Sequence, residues 1–277
     1  MILLNPRKIK LMEKSWINIF MKKHLYIYLI LFIILIAYNS TADDSQSFNQ
    51  INFFSDEKTA VEKLKVDPTE DNAKELAAIR FKYAIELYVY SKKNNDWDAF
   101  ELALLYASSA TKLNPAEWVY WLLLGKIYSE IEVEGVVLAL DPLQNAIKLN
   151  PNSFEAQSLL GTCYSRIGEH VNAVIYLEKA AKINSKKLSK GLIQIMVHSY
   201  AKEPQLKRGI RFFKWMIKEK KASPYAKIAL ALLLRKSGKQ SEAEKILEKV
   251  SKNEQSPVND KKMAAYLLDL WTKGAKQ

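Results

Sequence analysis

The chain contains a repeat that is clearest in two stretches. Residues 121–151 read WLLLGKIYSEIEVEGVVLALDPLQNAIKLNP, and residues 157–185 read QSLLGTCYSRIGEHVNAVIYLEKAAKINS. Both stretches carry Leu-Gly-x2-Tyr near their start, and in both the last residue is preceded by Lys, an aliphatic residue and Asn. The final asparagines, Asn150 and Asn184, are 34 residues apart, and Asn114 precedes the first of them by 36 residues. A repeat of this length predicts a stack of helix hairpins.

The same spacing recurs over five units. Each unit carries a small residue, an apolar residue four positions later and a second apolar or small residue three positions after that. This spacing places the three side chains on one face of a helix. The three sets are Ala103, Ala139, Ala173, Gly209 and Ala243; Ala107, Leu143, Leu177, Phe213 and Leu247; and Ala110, Ala146, Ala180, Met216 and Val250.

The two clearest units resemble the tetratricopeptide repeat (TPR) family, whose 34-residue helix–turn–helix unit carries a Trp, Leu-Gly, Tyr, Ala, Phe, Ala, Pro pattern. The packing residues that match this pattern are Trp121, Leu124, Gly125, Tyr128, Leu160, Gly161, Tyr164, Ala173, Ala180 and Ala243. The resemblance implies an all-α, right-handed superhelix of about five helix hairpins with a C-terminal capping helix. A mid-helix glycine costs about 1 kcal/mol relative to alanine, and close helix contact would explain that cost.

The resemblance extends over residues 73–253 but is uneven. The fourth unit departs from the pattern, with Ile193, Met196, Val197 and Tyr200 in its first helix. The first unit has seven extra residues before Ala103, which two more turns of its first helix would accommodate. Within residues 254–277, the segment Met263 to Lys273 predicts a capping helix, because an open repeat end leaves apolar surface exposed.

The first 42 residues predict a signal peptide or a signal-anchor. Residues 25–38 carry no charge, and Lys22 and Lys23 precede them. As a helix this run would span about 21 Å, short of a bilayer core of roughly 30 Å, so cleavage and anchoring both remain open. In either case the rest of the chain would be extracytoplasmic, in a periplasm or at a cell surface.

Residues 43–72 are mostly polar and are interpreted as a linker or N-terminal segment. The sequence Asp67-Pro68-Thr69-Glu70 near its end predicts the start of the first repeat helix.

The composition argues against an enzyme. With 8 Gly and 8 Pro in 277 residues, the chain has too few turn-forming residues for a β-sandwich or a glycine-loop nucleotide enzyme. The single Cys163 excludes an internal disulfide and a Cys-rich metal site. His24, His170 and His198 show no metal-ligand spacing. No catalytic motif is present, and we expect no catalysis, cofactor or metal.

Charge divides the chain into an acidic front and a basic rear. Residues 43–180 carry 13 basic and 21 acidic side chains, a net charge of −8. Residues 181–277 carry 23 basic and 8 acidic side chains, a net charge of +15. The basic half could bind an acidic protein, anionic lipid or nucleic acid. An extracytoplasmic location disfavours nucleic acid.

The family resemblance implies where a ligand would bind. In such repeats the first helices line a concave groove, and its residues here would be Lys126, Glu130, Thr162, Arg166, His198, Lys202, Arg235 and Lys236. Arg166, Lys202 and Lys236 occupy one repeat position and would form a basic row that could bind an acidic or extended peptide. The paired Lys and Asn of chaperone-binding relatives are absent.

We therefore expect a non-catalytic protein–protein interaction scaffold, exported or membrane-anchored, that binds a protein or peptide in its groove and assists assembly of envelope complexes. The alternative is a permanent structural subunit of an enzyme or membrane complex. Self-assembly through the repeat ends is a third alternative, because repeat ends can stack.

Overall fold

The computed structural model describes residues 50–202, 204–219 and 223–274. The chain divides into two parts, Met1–Asn52 and Phe53–Gln277. The described part consists of helices and turns without a strand. The helices are α1 (Gln50–Val66), α2 (Glu70–Asn94), α3 (Trp97–Leu113), α4 (Trp118–Glu130), α5 (Val133–Leu138), α6 (Leu140–Leu149) and α7 (Phe154–Arg166). They continue with α8 (His170–Ile183), a 3₁₀ turn (Ser185–Lys187), α9 (Lys190–Tyr200), α10 (Leu206–Lys218), α11 (Pro224–Lys236), α12 (Gln240–Lys252) and α13 (Val258–Gly274).

From α2 to α12 the helices form five hairpins, which we call units 1 to 5. The pairs are α2 with α3, α4 with α5 and α6, α7 with α8, α9 with α10, and α11 with α12. Each first helix also contacts the first helix of the next unit, along the series α2, α4, α7, α9 and α11. The predicted all-α repeat superhelix is therefore the observed architecture.

In units 2 and 3 a glycine of the first helix lies against a leucine of the second. A Cβ atom added to Gly125 would stand 2.6 Å from Leu143 Cγ, and one added to Gly161 would stand 2.7 Å from Leu177 Cγ. Both leucines are fully buried. The missing side chain lets the two helices approach, and the buried leucine fills the space between them.

Unit 4 has no glycine at this position of its first helix, and its close contact lies at other repeat positions. Gly209 lies on the second helix of unit 4, where an added Cβ would stand 2.5 Å from Tyr200 Cγ. Tyr200 is fully buried and its hydroxyl donates to Glu178 Oε1 at 2.8 Å. Val197 then occupies the position of Gly125 and Gly161. The unit that departs most from the family pattern is thus packed around an aromatic ring from the opposite helix.

The turns before the first helices of units 2 and 3 are held by equivalent side chains. Trp121 Nε1 donates to the carbonyl of Pro115 at 2.8 Å, and Gln157 Nε2 donates to the carbonyl of Pro151 at 2.9 Å. A chemically different residue therefore fills the tryptophan position with the same hydrogen bond, because both side chains place an N–H donor over the turn.

The first unit has the elongated first helix that its sequence predicts. Helix α2 is 25 residues long, against 13 for α4 and α7. It starts as expected at the Asp67–Glu70 signal, since Thr69 is its N-cap and accepts from the backbone N–H of Asn72 at 3.3 Å.

Part of the segment assigned to a polar linker is helical. Helix α1 covers Gln50–Val66, and its Glu57 accepts from Arg80 Nε of α2 at 2.8 Å. Lys63 of α1 pairs with Glu75 at 2.5 Å, and Ala60 is buried. From residue 53 onward, this segment therefore packs on unit 1 through ion pairs and one buried side chain.

The second helix of unit 2 is interrupted. Helix α5 ends at Leu138 and α6 begins at Leu140, two residues before Pro142. Proline has no backbone N–H and cannot extend the hydrogen-bond ladder of a continuous helix.

Helix α13 closes the last unit, as the sequence predicts for a capping helix. Trp271 is buried, and its ring lies 4.3 Å from the guanidinium carbon of Arg235 in α11. At the other end of α13, Asp260 pairs with Lys190 of α9 at 2.6 Å. The cap thus contacts unit 4 as well as unit 5.

No helix within the described ranges is long and apolar enough to cross a membrane. The apolar run at residues 25–38, and with it the predicted signal peptide or signal-anchor at residues 1–42, lies outside the described residues.

Candidate binding groove

The predicted groove residues lie on or directly after successive first helices. All eight lie on first helices or directly after them: Lys126 and Glu130 on α4, Thr162 and Arg166 on α7, His198 and Lys202 at the end of α9, and Arg235 and Lys236 at the end of α11. Because α4, α7, α9 and α11 contact one another in order, these side chains follow the course of the solenoid.

The front of this surface is occupied by internal contacts. Glu130 accepts a short hydrogen bond from the Tyr88 hydroxyl and pairs with Lys92 Nζ at 2.7 Å. Lys126 Nζ lies 5.0 Å from the centre of the Tyr88 ring. Burial, and then the hydrogen bond to Glu130, raise the pKa of Tyr88 well above its usual range. Helix α2 thus already supplies the contacts of Glu130 and Lys126.

Small polar side chains lie at and beneath the middle of the surface, where Ser199 is fully buried. Thr162 donates to the carbonyl of Ser158 at 2.8 Å, and the hydroxyls of Ser165 and Ser199 lie 2.9 Å apart across units 3 and 4. Arg166 Nη1 donates a short hydrogen bond to the carbonyl of Ser129. Arg166 thus ties unit 3 to unit 2, which the predicted basic row did not anticipate.

Two histidines meet where the surface becomes basic. His198 lies edge-on to His170, with ring centroids 5.2 Å apart. Burial lowers the pKa of His170, and the neighbouring His198 and Lys202 lower it further, against a smaller opposite effect of Glu169. His170 was not among the predicted groove residues because it begins a second helix. It precedes His198 by 28 residues and lies close to the turn of its unit.

The rear of the surface carries cations of two kinds. Arg235 stacks on Trp271 of the cap, as described above, so its guanidinium supports α13 rather than facing a ligand. Lys202 and Lys236 are exposed, and their ammonium groups make no hydrogen bond or ion pair within the described residues. These two lysines are the available cations of the predicted row.

The described residues offer little to covalent or metal chemistry. They contain no group of three or more His, Cys, Asp or Glu side chains that could hold a metal ion. Cys163 is fully buried, and burial raises the pKa of its thiol to about 11. A thiol that stays protonated at neutral pH is a poor nucleophile.

Comparison with known proteins supports the fold. No family model and no curated protein matches the sequence. Among solved structures, the chain is similar to YrrB, described as a TPR protein with an unusual peptide-binding site: 17% identity, TM-score 0.50, covering 69% of this chain and 90% of that one. It is also similar to MamA (22% identity, TM-score 0.47, 64% and 98% covered) and to a tetratricopeptide repeat protein from Parabacteroides merdae (17%, 0.44, 81% and 82%). The YrrB likeness agrees with the helix order in assigning a TPR-like solenoid.

Proposed function

We propose that this protein is a non-catalytic protein–protein interaction scaffold that binds an acidic protein or peptide along the surface formed by its first helices. The observation that carries the proposal is a pair of exposed cations, Lys202 and Lys236, at equivalent positions of units 4 and 5, whose ammonium groups have no partner among the described residues. A carboxylate that reaches either lysine would gain a charge-assisted hydrogen bond. YrrB, which is similar in fold, is described as having a peptide-binding site.

Binding to the stacked helices would cost little conformational entropy. The Gly161–Leu177 contact fixes the two helices of unit 3 against each other, and the Ser165–Ser199 hydrogen bond joins unit 3 to unit 4. A surface that is already ordered loses little conformational freedom when a peptide docks. An extended segment could then contact several units at once.

The proposed place of action is outside the cytoplasm. It rests on the uncharged run at residues 25–38 and on Lys22 and Lys23 before it, which together have the layout of a signal peptide or signal-anchor. A scaffold held at, or released from, the outer side of a membrane could gather the components of an envelope complex. Partner recognition would then belong to the solenoid and attachment to the N-terminal segment.

The test is capture of partners from detergent-solubilised envelope by the full chain, beside a Lys202→Glu/Lys236→Glu variant. Arg166 is left unchanged because it hydrogen-bonds to Ser129. The control is Lys245→Glu/Lys249→Glu, which makes the same change in net charge on exposed positions of α12. We expect the control to retain a partner that the groove variant loses. Retention by both variants would contradict groove binding, and loss by both would indicate a general charge effect.

One observation favours the alternative of a permanent subunit. Met263, Tyr266 and Leu270 on one face of α13 are 39%, 62% and 50% exposed. Exposed apolar stripes of this kind are covered in obligate complexes. Gel filtration of the purified full chain separates the two functions, because a transient binder should elute as one dispersed species and an orphan subunit should aggregate.

A further inference from the structure

A second surface of the molecule has the features of a binding site and is separate from the groove. It is a cleft of about 420 Å³ between the second helices of units 3 and 4. Its lining residues are Glu178 and Lys182 of α8 and Arg208, Arg211, Phe212 and Trp215 of α10. None of these residues belongs to the first helices that form the groove.

The charged floor of the cleft is fixed and neutral. Arg208 binds Glu178 with two hydrogen bonds, from Nε to Oε1 at 2.7 Å and from Nη2 to Oε2 at 3.0 Å. Tyr200 donates to the same Oε1 from below. Both carboxylate oxygens are therefore satisfied, and an incoming anion meets no unpaired negative charge.

The wall of the cleft is aromatic. Phe212 is buried, and its ring centroid lies 5.5 Å from that of Trp215, which is only partly buried. Phe212 and Trp215 both belong to or pack against the core of units 3 to 5, which holds the wall in place. An aromatic wall of this kind offers an apolar side chain a preformed contact.

The rim of the cleft carries cations without partners. Lys182 and Arg211 are exposed, and neither side chain makes a hydrogen bond or ion pair within the described ranges. Their neighbours on α10 are already used, since Arg208 binds Glu178 and Lys214 pairs with Glu242 at 2.7 Å. Two available cations thus flank one aromatic wall.

We propose that this cleft binds a peptide segment in which acidic residues flank an aromatic residue. The aromatic side chain would lie against Trp215 and Phe212, and the carboxylates would pair with Lys182 and Arg211. Charge complementarity favours a carboxylate-bearing peptide over a nucleic acid, which needs a longer track of unpaired cations to neutralise its phosphates.

Fluorescence anisotropy tests the proposal with two labelled peptides. In the first, glutamates flank a phenylalanine; in the second, glycine replaces the phenylalanine. The full chain in detergent should bind the first peptide at least about tenfold more tightly than the second, a preference of about 1.4 kcal/mol. Equal affinity for the two peptides would overturn the assignment of the aromatic wall.

Variants then locate the binding. Lys182→Glu/Arg211→Glu should weaken binding of the phenylalanine peptide at least about tenfold and abolish the preference. Lys245→Glu/Lys249→Glu, with the same net charge change, and the groove variant Lys202→Glu/Lys236→Glu should both keep that preference. Loss of the preference for the phenylalanine peptide in the groove variant alone would place the binding site in the groove. These outcomes can refute the cleft proposal without refuting the proposed function.

Two further probes distinguish the chemistry of the ligand. Single-stranded oligothymidine and phosphatidylglycerol vesicles carry phosphates without a peptide, and phosphatidylcholine vesicles serve as the neutral control. We expect neither anionic probe to displace the phenylalanine peptide at matched charge concentration. Displacement that is lost in Lys182→Glu/Arg211→Glu would assign the cleft to a phosphate ligand and overturn the peptide proposal.

Discussion

Gly161 and Leu177 are in direct contact across the hairpin of unit 3, at a distance that leaves no room for a side chain on residue 161. The same contact joins Gly125 and Leu143 in unit 2. In units 2 and 3 the approach of the two helices therefore depends on one missing Cβ atom.

The first prediction concerns Gly161→Ala. Alanine should gain about 1 kcal/mol in helix propensity but lose about 1–3 kcal/mol to the clash with Leu177, so the net effect should be destabilising. The measurement is the free energy of unfolding in denaturant. Gly191→Ala is the control, since an added Cβ there meets only Ser189 Oγ at 3.8 Å, and it should be neutral or stabilising. Destabilisation by both substitutions to the same extent would refute the contact argument.

The second prediction separates a part-buried ion pair from an exposed one. Glu178→Gln removes the carboxylate that Arg208 and Tyr200 share and should cost about 1–3 kcal/mol of unfolding free energy. Glu242→Gln removes the partner of Lys214, where both side chains are about half exposed, and should cost about 0–1 kcal/mol. Thermal or denaturant unfolding of the two variants provides the comparison. Equal losses would mean that Glu178 contributes no more than a surface charge.

The third prediction is a pH dependence of stability that originates at His170. Its pKa is lowered in the folded chain by burial and by His198 and Lys202, so the unfolded chain binds a proton more readily. The stabilisation is present above the unfolded pKa of about 6.5 and is lost as the pH falls through the folded value.

The unfolding midpoint of His170→Gln should accordingly depend less on pH between neutral and mildly acidic conditions than that of the native chain. Carboxylates titrate equally in both proteins, so the difference between the two curves isolates the histidine. Parallel curves would show that His170 has the same pKa in both states.

The fourth prediction concerns the cap. Trp271→Ala removes a buried ring and the stacking partner of Arg235, which should cost about 3–5 kcal/mol and expose α13 to hydrogen exchange. Tyr266→Ala, on the outer face of the same helix, should leave exchange nearly unchanged because this side chain is 62% exposed. Exchange that accelerates evenly through units 1 to 5 would instead indicate that the cap has no independent stability.

The regular units could be predicted because their packing repeats in sequence. Gly125 and Gly161 lie at the same repeat position, and each faces a leucine at one repeat position of the second helix. In unit 4 Val197 stands at the position of these glycines. The close approach in that unit is between Tyr200 and Gly209, which occupy other repeat positions, so a pattern read position by position finds a departure there.

The remaining differences come from contacts without a repeat period. Arg235 has the register of a groove residue, but its neighbour Trp271 belongs to the cap, whose position no repeat specifies. His170 meets His198 because a turn returns the chain toward the next unit. Helix α1 contains two Glu and three Lys, which favour helix, but from residue 55 onward it buries little apart from Ala60, so hydrophobic periodicity gives no strong signal for it.

The ion pair between Lys190 and Asp260 has a consequence for the order in which the molecule is completed during synthesis. Hairpins join residues that are close in sequence, so each can close soon after its second helix emerges. The partner of Lys190, however, is Asp260, 70 positions later in the chain. The ion pair at the start of α9 therefore cannot form until α13 has been synthesised. The contacts of unit 4 are thus completed only after unit 5 has been synthesised, when α13 packs on the rear of the solenoid.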